Sequence, residues 1–230
     1  MSEHFSPKSV ACDSSALISL ADTCLLQALM ELKQHLGGDF LMTESVRDEC
    51  ITTPLRTKSH TLPATRLQLA LNEGILRIAD SEGLRSATQD VIWTANNIFF
   101  ADSRPVSILH KGEAETLALA ISLGLKNVMM DERNARLMVE DPELLGAHME
   151  EELGISLHRN EKYLERFKQM TAPLNIFRSS ELLVIAYEKG NFRRFKDLEK
   201  QAIEAALYGV KFAGCSISFD EIEEYTRSLQ

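Results

Sequence analysis

Two short apolar runs in this chain end on an aspartate and lead into a helix. Ser9-Val10-Ala11-Cys12 runs into Asp13, and Asn127-Val128-Met129-Met130 runs into Asp131. Runs this short, bounded by helix-starting residues, suit buried strands. Asp13, Ser14 and Ser15 are favoured N-cap types. Leu17, Leu20, Leu25, Leu26 and Leu29 then lay a helical stripe to about His35, and Gly37-Gly38 breaks it. Residues 39–42 read as a second strand. Thr43 caps a helix through Val46 and Glu49, 51–64 read as a Thr/Pro/Ser-rich loop, 65–73 as a helix and 75–78 as a third strand. Gly112 opens a helix over 113–123 that Gly124 closes. Short apolar strands alternating with helices predict an α/β fold with a mainly parallel sheet.

The rest of the chain carries less order. Residues 80–109 hold the single Trp93 and the pair Phe99-Phe100, and read as an insertion of helical pieces and loop. From 132 onward the pattern is mostly helical, with helices expected over 145–152, 161–169, 179–188, 192–208 and 219–229. The expected organisation is an α/β domain over 1–150 and a helical C-terminal extension over 151–230 packed on it.

The chain has a formal net charge of −9, and the imbalance is local. Residues 1–150 carry −8 and residues 151–230 carry −1. Such acidity counts against a protein that wraps nucleic acid with a basic surface, but not against an enzyme that meets nucleic acid through metal ions. Four cysteines show no CxxC spacing, which excludes a zinc framework. The N-terminus lacks a signal-peptide core, and no apolar run approaches the ~20 residues of a membrane span. The expected location is the reducing cytoplasm, with no membrane partner. The absence of a GxxxxGK[ST] loop, a Gly-x-Ser-x-Gly elbow and an HExxH helix removes P-loop, serine hydrolase and zincin readings.

Ligands of parallel sheets bind at the carboxyl ends of the strands, where Asp13 and Asp131 stand. Glu113 lies in the first turn of the preceding helix, and Glu44, Asp48 and Glu49 share the helix after the second strand. Taken singly, Asp13 reads as an N-cap, Asp131 as a residue after a strand and Glu113 as a dipole partner. Taken jointly, oxygen-only acids without His or Cys suit hard cations such as Mg²⁺ or Mn²⁺. Metals so held activate water and stabilise charge at phosphorus.

Three segments together resemble the PIN-domain family: Asp13-Ser14-Ser15-Ala16-Leu17-Ile18, the Gly112-Glu113-Ala114-Glu115 helix, and Val128-Met129-Met130-Asp131-Glu132-Arg133. The likeness to the subfamily with a Gly-Glu-x-Glu helix extends weakly to 179–227. The resemblance implies a Rossmann-like three-layer α/β/α fold and a Mg²⁺- or Mn²⁺-dependent endoribonuclease, with Asp13, Glu49, Glu113 and Asp131 as catalytic and metal-holding acids. Glu113 precedes Gly124 by eleven residues and Asp131 by eighteen, the family's spacing. Glu115 is the backup, because two positions on a helix lie ~200° apart and cannot share one site. Ser15 matches the small residue supporting the first acid, and Arg133 and Arg136 are the candidate RNA-binding side chains. The 64 residues from Glu49 to Glu113 exceed a minimal PIN domain.

The implied partners are an RNA substrate held weakly through metal, an antitoxin or other protein, since many members are toxins, and a second copy of the chain. The rival reading is an inactive PIN-fold scaffold or RNA- or protein-binding module. A phosphatase using Asp13 as nucleophile lacks the second Asp two residues on.

Overall fold

The computed structural model describes residues 5–229. The first half runs β1 (Val10–Cys12), α1 (Ser14–Asp22), α2 (Gln27–Leu36), β2 (Phe40–Met42), α3 (Glu44–Arg47), a π-helical turn (Asp48–Thr52), α4 (Thr53–Thr57), α5 (Thr61–Asn72) and β3 (Leu76–Ile78). It continues through α6 (Leu84–Ala95), β4 (Phe99–Ala101), β5 (Arg104–Pro105), α7 (Lys111–Leu123) and β6 (Asn127–Met129). The remainder is α8 (Arg133–Glu140), α9 (Pro142–Leu153), β7 (His158–Arg159), α10 (Glu161–Thr171), β8 (Asn175–Phe177) and α11 (Ser179–Glu188). A 3₁₀ segment (Arg193–Leu198), α12 (Glu199–Phe212) and α13 (Phe219–Ser228) close it.

The main sheet has the order β3-β2-β1-β6-β8, and every pair in it is parallel. Side chains alternate across such strands, so each face carries its own core. Val10, Cys12, Phe40, Met42 and Met129 pack on one side with Leu17, Leu29, Leu67, Leu183 and Leu207, from α1, α2, α5, α11 and α12. Ala11, Leu41 and Val128 pack on the other with Val91, Leu117, Met138, Leu145 and Phe167, from α6 to α10. This is the expected three-layer α/β/α arrangement. Gly38 is required where β2 begins, because a Cβ there would stand 2.6 Å from the Ser9 backbone nitrogen.

Several local expectations are corrected. The single helix to His35 is two, because Cys24 adopts a left-handed φ of 63° between α1 and α2. The loop expected over 51–64 is largely helical: Pro54 lies at the start of α4 and Pro63 in the first turn of α5, where proline costs no ladder bond. The C-terminal third is not purely helical, since β8 extends the main sheet along the free edge of β6. Three residues are too short to show a period of two. Their pairing comes from the open edge they meet. Within 80–109 the structure holds α6 and the β4–β5 hairpin, which β7 joins as a small antiparallel sheet. Among the described residues no helix is long and apolar enough to cross a membrane.

Candidate metal and nuclease site

Strand order reverses at β1: the chain builds outward through β2 and β3, then returns to β6 on the other side. The crevice at such a switch point is where open α/β sheets bind ligands. Asp13 and Asp131 both follow strands there, with Cys12 opposite Met129 in the register.

Asp13 is the N-cap of α1 and is 2% exposed. Its Oδ2 accepts the Ser15 hydroxyl at 2.6 Å and the Ser15 N–H at 3.1 Å. Its Oδ1 is buried without a hydrogen-bond partner. Burial pushes the carboxyl up to about 6 against the lowering by Ser15, and the charge of Glu49 adds to the rise. The Ser15 hydroxyl also accepts the Asp131 backbone N–H at 3.1 Å, so one side chain ties both strand ends together.

Glu49 lies on the π-helical turn Asp48–Thr52, where a plain helix was expected. Its Oε2 rests 3.1 Å from where a Cβ on Gly112 would stand, against the first turn of α7. Glu113 belongs to that turn and accepts the His110 backbone N–H at 2.5 Å. Burial raises Glu113 to about 7, opposed by the His110 N–H and reinforced by the charges of Asp13 and Glu132. Across the crevice Glu49 thus acts electrostatically on Asp13, and Asp13 on Glu113.

Asp131 is used differently. It is fully buried, and its two oxygens accept the Ser179 N–H and the Ser179 hydroxyl, each at 2.7 Å. The acid that adds its charge to Glu113 from this segment is the next residue, Glu132, which also caps α8 through the Ala135 N–H. Neither Ser179 nor Glu132 was singled out from sequence. Glu132 stands in the quoted Asp-Glu-Arg run, whereas nothing local marks a serine at the start of a distant helix. Glu115 lines a separate cleft with α6. Arg133 is paired with Glu152, and Arg136 with Glu140 on its own helix.

Next to Ser179, the buried Arg178 joins Glu181 and Glu221 and donates to the Ser216 carbonyl at 3.1 Å, tying α11 to α13. Burial would raise the Glu221 carboxyl, but Arg178 and Ser218 outweigh it and hold it down at about 2. Glu181 is lowered in the same way, burial again being overcome by Arg178.

Among the described residues no three His, Cys, Asp or Glu side chains are gathered closely enough to hold an ion by themselves. Tetrahedral zinc is a poor match for such a site. Mg²⁺ fits it better, because that ion keeps several waters and takes one or two protein carboxylates. The unpartnered Asp13 Oδ1 and the raised Glu113 are the groups a cation would relieve.

The description of a PIN domain matches residues 9–145, well over half of the chain. The chain belongs to the PIN-domain family, whose members are in general nucleases that typically use divalent metals. Searches of curated proteins and of solved structures each returned no match.

Proposed function

We propose that this chain is a divalent-metal-dependent endoribonuclease. The observation that carries the reading is Asp13: a carboxylate buried at the switch point, one oxygen fixed by Ser15 and the other without a partner. Asp13 and Glu113 would hold Mg²⁺ or Mn²⁺, with Glu49 as the more exposed third acid and Asp131 or its neighbour Glu132 completing the set. A bound divalent cation supplies Lewis acidity and lowers the pKa of water, the chemistry needed at a phosphodiester. The residues of the chain position and neutralise. Ser15 fixes Asp13, His110 orients Glu113, and the buried strand ends keep bulk water from Asp13 and Asp131. RNA contact is weak in this reading, because Arg133 and Arg136 are already engaged by carboxylates. The buried, unpaired Cys12, Cys50 and Cys215 suit the reducing cytoplasm that belongs to the same proposal.

The test is cleavage of a fluorogenic single-stranded RNA with Mn²⁺ by the wild type and by Asp13→Asn, with circular dichroism as the fold control. The variant is expected to lose cleavage by several orders of magnitude and to keep its fold. Equal rates would overturn the reading. The scaffold reading draws on the wider spacing of the acids, since no three of them are gathered among the described residues. Calorimetry with Mn²⁺ that shows neither binding nor cleavage would favour it.

A further inference from the structure

We infer that the cleft between α6 and the start of α7 receives a guanine nucleotide of the RNA strand beside the acidic site. The inference rests on the nuclease reading above. The cleft encloses about 690 Å³ and is lined by Asp80, Leu84, Arg85, Ile92, Lys111 and Glu115, among others. That volume lies within the range of small-ligand sites, roughly 300–1,000 Å³.

The two acids of α7 divide between two places. Glu113 turns to the acidic crevice, and Glu115, two residues on and so about 200° around the helix, turns to the cleft. Glu115 Oε2 is buried and has no hydrogen-bond partner. A buried acceptor left unmade costs free energy that a donor-bearing ligand recovers. Ile92 and the buried Leu84 give an apolar wall for a base face. Arg85 and Lys111 are exposed at the rim, and neither forms an ion pair among the described residues, so both are free for phosphate. Asp80 already accepts the Ser81 N–H at 2.7 Å.

Glu115 selects the base once its carboxylate turns the buried Oε2 to the cleft beside Oε1. Guanine presents two adjacent donors on its Watson–Crick edge, N1–H and the N2 amino group, which a carboxylate takes with both oxygens. Adenine and cytosine each offer one amino donor beside a ring-nitrogen acceptor, and uracil one N–H between two carbonyls. Each of those sets a lone pair against the carboxylate. The cleft and the acidic crevice both border the first turns of α7, so the inference places neighbouring nucleotides of one strand in them.

Two arms test this with the full chain. The first measures binding of GMP, AMP, CMP and UMP by saturation-transfer NMR without divalent ions, so that metal holding plays no part. GMP is expected to bind at least about tenfold tighter than the others, and Glu115→Gln and Arg85→Ala to weaken it by about the same factor. Equal binding of all four nucleotides, or binding indifferent to Glu115→Gln, overturns the inference. The second arm maps Mn²⁺-dependent cuts on a mixed-sequence RNA. Cuts next to guanine that lose this preference in Glu115→Gln support it. Cleavage blind to guanine overturns the assignment to the strand, even where GMP binds free, and leaves the nuclease reading standing. GMP binding without any cleavage overturns the nuclease reading and keeps a guanine-nucleotide site in the cleft.

Discussion

Asp131 grips Ser179 through both carboxylate oxygens, one on the backbone N–H and one on the hydroxyl, each at 2.7 Å. A residue that resemblance assigns to metal is therefore also the latch between β6 and α11. Asp131→Asn replaces one acceptor by an NH₂ group in a fully buried place. The expected cost is about 1–3 kcal/mol, read as a lower urea midpoint with unchanged slope. An unaltered midpoint would contradict the latch.

Ser15 serves two masters, donating to Asp13 at 2.6 Å and accepting from the Asp131 backbone at 3.1 Å. Ser15→Ala leaves the Asp131 N–H without its acceptor and leaves Asp13 Oδ2 with only the backbone N–H of residue 15. A loss of roughly 1–3 kcal/mol is expected, together with a weaker calorimetric response to Mn²⁺. If both quantities match the wild type, Ser15 is a spectator.

Gly112→Ala is the most selective probe of Glu49. The new methyl would stand 3.1 Å from Glu49 Oε2, so the carboxylate must move by a few tenths of an ångström. Helix α7 itself is not weakened, because alanine is the better helix former. Thermal stability should hold or rise while Mn²⁺-dependent cleavage falls several-fold. Cleavage retained at the wild-type rate would remove Glu49 from the site.

The Arg178 cluster gives the pH dependence. Glu221 is depressed to about 2 and Glu181 is lowered, so their pairing stabilises the fold above the ordinary carboxylate range. That contribution is lost as pH falls from about 4 through about 2. Melting temperatures taken across this window should fall less steeply in Glu221→Gln than in the wild type. Parallel curves would show that the pair contributes nothing to acid stability.

Much of the fold was readable because its signals are local. The strand-ending runs at Asp13 and Asp131, the caps at Asp13 and Thr43, and the glycine stops at Gly37 and Gly124 each act within a few residues. The left-handed Cys24, the π turn carrying Glu49 and strand β8 were not readable in this way. Each depends on what lies across the molecule, and a three-residue strand has no periodicity to show.

The same division holds at the site. By itself the sequence determined which acids stand at strand ends and helix starts, since short apolar runs and capping residues place Asp13, Glu113 and Asp131 there. Only the tertiary structure decided what each carboxylate faces. It left Asp13 Oδ1 unpartnered, closed Asp131 onto Ser179 48 residues away and parted Glu115 from Glu113. It also spent Arg133 and Arg136 on Glu152 and Glu140. The reason is physical: a helix turn or cap is settled by neighbours in the chain, whereas a buried carboxylate takes its partner from whichever donor the packed layers bring within about 3 Å.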